Sequence, residues 1–166
     1  MPAHIQAHSR MVGEVAQFLT DELALAGVVL DRSLVVAAAL LHDITKPRSF
    51  STHENHAQTG GEYLVNLGYR EVGDIVRQHI VLDTYFARER PSEAEVVNYA
   101  DKRVLNDRIV PLEERMAYIL ERYAVTVDRR HALELVWRQT IRLEQHIFSL
   151  LSFPPLELST RLPAES

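Results

Sequence analysis

Six side chains in this sequence have the types and the placing to do chemistry: His8, His42, Asp43, His56, His79 and Asp101. Histidines and aspartates that gather at one point can hold a divalent cation, which in turn activates water and balances charge on a phosphate. The chain has no cysteine, so thiolate ligands, disulfides and a cysteine nucleophile are excluded. A metal here would be held by imidazole, carboxylate, carbonyl and water. That donor set suits Mg, Mn, Fe(II), Co and Ni, with Zn also compatible. His42 and Asp43 fall in the stretch LLHDITKPRSFSTHENHA, where an apolar run gives way abruptly to ionisable residues.

Helical spacing accounts for almost the whole chain. Seven helices are predicted. The first runs from about Ala3 to Ala26 and stops at Gly27. The second starts after Asp31, an N-cap, and runs to Leu41; Pro47 prevents its continuing, and residues 45–52 read as a polar loop. The third covers Thr52 to Leu67, closed by Gly68, and the fourth Glu71 to about Leu82. Ser92 and Glu95 make a capping box for the fifth, which reaches about Asn106. Pro111 opens the sixth, ending near Tyr123, and Asp128 caps the seventh, ending near Leu151. The tail from Phe153, with Pro154, Pro155 and Pro163, reads as irregular. No segment alternates with period two, so no sheet is expected. The expectation is an all-α, single-domain bundle over residues 1–152 followed by a tail, 153–166.

The helices decide which polar residues point inward. His8 sits in the middle of the apolar stripe Ile5, Val12, Val15, Leu19 and Leu23. His56 shares a face with Gly60, Tyr63 and Leu67, and His79 lies in line with Val72, Ile75 or Val76, and Leu82. Asp101 falls in the apolar row with Val97 and Val104. A lone inward histidine is ordinarily a core residue bonded to a carbonyl. A buried aspartate seldom lacks a partner. Several such groups satisfy one another when they converge on a shared cation, because an isolated buried charge is costly. The end of the second helix adds its own partial negative charge beside His42 and Asp43. His131 and His146 lie on a polar face, and His4 at the frayed start.

On these residues the chain resembles the HD-domain superfamily of metal-dependent phosphohydrolases, in its HDIG-type branch. The order His8, His42-Asp43, His56, His79, Asp101 matches that family's H…HD…H…H…D pattern. The blocks HSRMV, LLHDITKP, HAQTGGEYLVNLG, IVRQH and NYADKRV look like family blocks, and the similarity covers roughly residues 1–122. The resemblance implies a phosphodiesterase-like helical bundle. It implies a core metal site of His8, His42, Asp43 and Asp101. It also implies a second ion on His56 and His79, bridged by Asp43. His53 is an alternative to His56, which fits better because the family's glycine follows four residues on, as Gly60. Thr45 departs from the pattern, which has glycine there.

The activity so implied is hydrolysis of a phosphate ester of a nucleotide or another small phosphorylated metabolite by a metal-activated hydroxide. The enzyme would be a phosphomonoesterase or a phosphodiesterase, with dinucleoside polyphosphates as one sub-case. Asp43 would bridge the ions and orient the nucleophile, and Lys46 would contact the phosphate as a point charge. Arg48, Arg77, Lys102 and Arg103 are further candidates for substrate contact at the mouth. Two other readings compete: a catalytically silent metal-binding module that senses a ligand or regulates, and a metal-free helical scaffold.

The bulk properties narrow the partners. The net charge of −5 argues against non-specific nucleic-acid binding. The longest apolar run, Leu34 to Leu41, is too short to cross a membrane, and the N-terminus has no leader pattern, so a cytoplasmic protein is expected. Leu133, Val136, Trp137, Ile141 and Ile147 of the last helix either complete the core or form a homodimer contact.

Overall fold

The computed structural model describes residues 1–86 and 88–162. In chain order the elements are α1 (Ala3–Leu25), α2 (Arg32–Leu41), α3 (Lys46–Thr52), α4 (His56–Asn66), α5 (Arg70–Val76), α6 (Glu93–Lys102), the strands β1 (Val104–Leu105) and β2 (Arg108–Ile109), α7 (Leu112–Tyr123), α8 (Val127–Phe148), a 3₁₀ turn (Pro155–Glu157) and α9 (Leu158–Arg161). All seven expected helices are present, and the fold is all-α apart from the short hairpin. No helix among the described residues is long and apolar enough to cross a membrane.

Local chemistry explains the boundaries. Asp31 accepts the Leu34 N–H at 2.9 Å and starts α2. Ser92 and Glu95 form the expected capping box of α6. Asn55 Oδ1 accepts the Ala57 N–H at 3.1 Å and starts α4 at His56, four residues later than spacing alone suggests. Thr126, not Asp128, caps α8 by accepting the Arg129 N–H.

Four segments differ from expectation. The fourth helix, expected to reach about Leu82, ends at Val76 as α5. Residues 46–52, read as a loop, wind into α3. Pro47 sits in its first turn, where a missing N–H costs nothing, and no residue of α3 is buried, so no apolar period reveals it. The fifth helix stops at Lys102, and the chain turns through Asn106, at φ 57°, into the β1–β2 hairpin. Two-residue strands are too short to show alternation, and asparagine tolerates the left-handed region. The tail is not irregular through Leu158. Phe153 packs against Phe148 and Phe18, with ring centroids 5.6 and 5.9 Å apart, and Leu158 is fully buried.

The core forms around α1, whose Val12, Val15, Ala16, Leu19 and Leu23 are wholly enclosed. α1 packs on α2, α6 and the hairpin, and α4 packs on α5. The α4–α5 contact depends on two glycines. A Cβ on Gly61 would stand 2.7 Å from both the Gly73 carbonyl and Arg77 Cβ, and one on Gly73 would stand 2.6 Å from the Gly61 carbonyl. Backbone meets backbone there, so neither neighbour can swing aside. Gly61→Ala is expected to force the helices apart at a cost of about 1–3 kcal/mol. Each kcal/mol lowers the melting temperature by roughly 2–4 °C in a chain of this size. A melt unchanged within 1–2 °C (roughly half a kcal/mol) would show that the close approach is not maintained.

Arg103 is the other organising feature. Expected near the mouth of the site, it is instead buried behind it. Nε donates to the Val110 carbonyl at 2.8 Å, Nη2 to the Pro155 carbonyl at 3.0 Å, and Nη1 to the Tyr99 hydroxyl. Tyr99 in turn donates to Glu144 at 2.6 Å. One side chain of α6 thereby ties the hairpin exit, α8 and the tail together.

Candidate metal centre

Five separate segments bring the six candidate side chains to one place. His8 comes from α1, His42 and Asp43 from the end of α2, His56 from the first turn of α4, His79 from the turn after α5, and Asp101 from the last turn of α6. His42, Asp43 and His79 are almost wholly buried.

Three of the four histidines are held in the same way. His42 Nδ1 lies 2.7 Å from the Ala39 carbonyl, His79 Nδ1 2.7 Å from the Val76 carbonyl, and His8 Nδ1 2.8 Å from the Asn106 carbonyl. A carbonyl only accepts, so each Nδ1 carries the hydrogen and each Nε2 is turned to the cluster. The helix termini supply the first two acceptors, since the last carbonyls of α2 and α5 lack partners within the helix. The left-handed turn at Asn106 supplies the third.

The Nε2 atoms and carboxylate oxygens then divide into two groups. In the first, His8 Nε2 is 3.0 Å from Asp101 Oδ1 and 4.0 Å from Asp43 Oδ2; His42 Nε2 is 3.4 Å from Asp43 Oδ2 and 3.7 Å from Asp101 Oδ1. In the second, Asp43 Oδ1 is 3.2 Å from His56 Nε2 and 3.7 Å from His79 Nε2, and the two Nε2 atoms are 3.3 Å apart. Asp43 therefore faces one group with each oxygen.

These residues fit divalent metal ions. Two ligands about 2.1 Å from an ion and at right angles to each other stand roughly 3 Å apart, and opposed ligands roughly 4 Å apart. The observed spacings span that window. The stronger observation is that His42 Nε2 and Asp43 Oδ1 are enclosed and make no hydrogen bond, though each lies within 4 Å of an oppositely disposed group. Buried polar atoms are rarely left so. His8, His42 and Asp43 form one grouping able to hold a cation, and Asp43, His56 and His79 a second.

The electrostatics show how charged the cluster is. Burial opposes ionisation of Asp43, yet His42, His56 and Lys46 hold its carboxyl far below the usual range. Asp101 is lowered in the same way against its own burial, by the His8 hydrogen bond and by Arg115. Burial alone would depress His42, but the Asp43 and Asp101 charges outweigh it and raise the imidazole. His79 goes the other way, pushed down to about 3 by burial and the neighbouring His42, so it is neutral and its Nε2 carries a lone pair.

The substrate-contact candidates separate. Lys46 is at the cluster, with Nζ 2.6 Å from Asp43 Oδ2. Arg48 is paired with Glu54 at 2.6 Å, and Arg77 with Asp74 and Asp83, so both forks already hold carboxylates. Lys102 is turned away from the mouth into the protein. Its Nζ donates to the His79 and Ile80 carbonyls at 3.1 and 3.2 Å and to Asn98 Oδ1 at 2.8 Å. Asn98 Nδ2 donates to the Gln78 and His79 carbonyls. His79 lies beyond the end of α5, and these two α6 side chains fix its backbone. Thr45, where the motif has glycine, donates to the His56 carbonyl at 2.9 Å and so steadies the start of α4.

Two contributors were missed. Asn98 lies in a quoted block, but nothing in its spacing marks it as a clamp. Arg115 of α7, with Nη2 3.5 Å from Asp101 Oδ1, stands in the charged run LEERM and reads as part of a solvated face.

Comparison with known families gives a match over most of the chain. The HD domain family matches residues 5–104, a span that contains all six candidate ligands. The chain belongs to the HD-domain superfamily of metal-dependent phosphohydrolases. No curated protein and no solved structure matches it.

Proposed function

We propose that this protein is a metal-dependent phosphohydrolase that cleaves the phosphate ester of a nucleotide or a similar small metabolite. The observation that carries this reading is the division of Asp43, whose two oxygens face two separate histidine pairs. A structural histidine cluster has no need of a shared carboxylate. Catalysis by two ions gripping one phosphate does. His8, His42, Asp43 and Asp101 would hold one divalent ion, and Asp43, His56 and His79 a second. When bound, such ions supply electrophiles for the phosphoryl oxygens and make water a nucleophile at neutral pH.

The chain's own residues do the rest. Asp43 supplies negative charge to both groups and is kept ionised by its neighbours. Lys46 has a 26% exposed side chain and can exchange Asp43 for a phosphoryl oxygen. Phe50, 59% exposed, follows Lys46 by one helical turn, about 6 Å along α3. An exposed aromatic ring on the same short helix as Lys46 is a surface on which a base could stack, which supports a nucleotide as substrate.

The test combines metal analysis of freshly purified protein with hydrolysis of an aryl phosphate and a panel of nucleotides and sugar phosphates. Bound divalent metal, hydrolysis abolished by chelation and restored by metal, and preference for nucleotides are expected. Full metal occupancy without turnover on any ester would favour the silent module. Chelation that neither removes metal nor changes the melting temperature would favour the scaffold.

A further inference from the structure

Arg115 is a largely buried arginine with an empty fork. Its side chain is only 12% exposed. Its ion-pair partner among the described residues, Asp101 Oδ1, is 3.5 Å from Nη2, and that contact is too long to be a good hydrogen bond. Among the described residues no hydrogen bond is made by any of its side-chain N–H groups, and Nε is enclosed without a partner. One face of the guanidinium rests near the Tyr118 ring, 5.8 Å from the centroid. Arg103 shows what a satisfied buried arginine looks like here, with Nε, Nη1 and Nη2 each on an oxygen.

An arginine cannot shed its charge to escape burial. Of its donors only Nε is enclosed, so Nη1 and Nη2 stand open at the edge of a candidate metal centre, where an anion could bring its own oxygens. Asp101 alone does not meet that need, since it is turned to His8 at 3.0 Å. We propose that Arg115 is a catalytic residue that binds the phosphoryl group of the substrate through its guanidinium fork. The planar fork matches two phosphate oxygens at once, which a lysine cannot do. Lys46 abuts Asp43 and Arg115 abuts Asp101, so each carboxylate of the first group has a cation beside it, available to a phosphate. Arg115 comes from α7, outside the span that matches the family. The proposal rests on the hydrolase reading above.

The experiment uses manganese-loaded protein and compares wild type with Arg115→Ala and Arg115→Lys. Three quantities are read: metal content, affinity for inorganic phosphate by calorimetry, and kcat/KM on an aryl phosphate. Arg115→Ala is expected to keep the wild-type metal content, bind phosphate at least about tenfold more weakly and lose roughly 10²-fold in kcat/KM. Arg115→Lys restores only part, because a point charge replaces a fork. Unchanged phosphate affinity and kcat/KM would overturn the proposal. Loss of metal would also overturn it, by showing that Arg115 only holds Asp101 in place. Should Arg115→Ala fail to fold, Arg115→Gln is read by the same criteria. A wild-type protein that binds phosphate through Arg115 yet cleaves no ester would sink the hydrolase reading and the catalytic role with it, leaving Arg115 as a phosphate-binding residue.

Discussion

Asp43→Asn is expected to strip both candidate metal groups at once and to lower phosphate-ester hydrolysis by about 10³-fold or more. The substitution keeps the shape of the side chain and removes its charge. His8, His42, His56 and His79 all lie within 4.0 Å of that one carboxylate, and among the described residues Asp43 is the one ligand common to both groupings able to hold a cation. His79→Ala makes the contrast. Its Nε2 belongs only to the second grouping, so His8, His42, Asp43 and Asp101 should still bind metal. Elemental analysis of the two variants beside wild type decides the matter. If Asp43→Asn retains as much metal as His79→Ala, the carboxylate is not shared, and the division of its oxygens has no functional meaning.

Arg103→Met should cost a large share of the protein's stability although it lies away from the cluster. Removing one partner of a buried ion pair costs about 3–5 kcal/mol, because the other is left uncompensated. Here Glu144 keeps only the Tyr99 hydroxyl, and the carbonyls of Val110 and Pro155 lose their donor. With roughly 2–4 °C per kcal/mol, the melting temperature should fall by about 10 °C. Thermal denaturation of the metal-free proteins checks this without interference from ion binding. A drop of only 1–2 °C (roughly half a kcal/mol) would mean that water or a rotamer change replaces the network.

The sequence made the ligands legible for a specific reason. His8 and Asp101 each interrupt an apolar stripe of period 3.6, and a polar residue on a buried face stands out against its neighbours. His56 does not, since Tyr63 and Leu67 of its expected row are exposed, and only the resemblance to the family pointed to it. The ends of α5 and α6 were less legible, because their last turns are decided by tertiary contacts. Asn106 illustrates this. It continues a helical pattern, yet its left-handed turn starts a hairpin and places a carbonyl on His8. α3 was invisible because helix formation there buries nothing. Lys102 and Arg103 were read as mouth residues because charge normally seeks water. Both instead find enough backbone oxygens to be buried, a fact fixed by segments 20 to 50 residues away. Arg115 shows the limit most plainly, since a charged residue in a charged run carries no sign of which way it faces.

The grip of Arg103 on Pro155 bears on how the molecule could be divided. The span that matches the family ends at Val104, with every candidate ligand already contained. Yet Tyr99 and Arg103 meet their partners on α8 and in the tail, and Leu143, Ile147 and Leu158 close the core from the same side. A fragment stopped at the family boundary would hold the full ligand inventory around an open, unpaired interior. The C-terminal third is thus part of what makes the centre rigid, and swapping it between relatives would disturb the ligands without touching one of them.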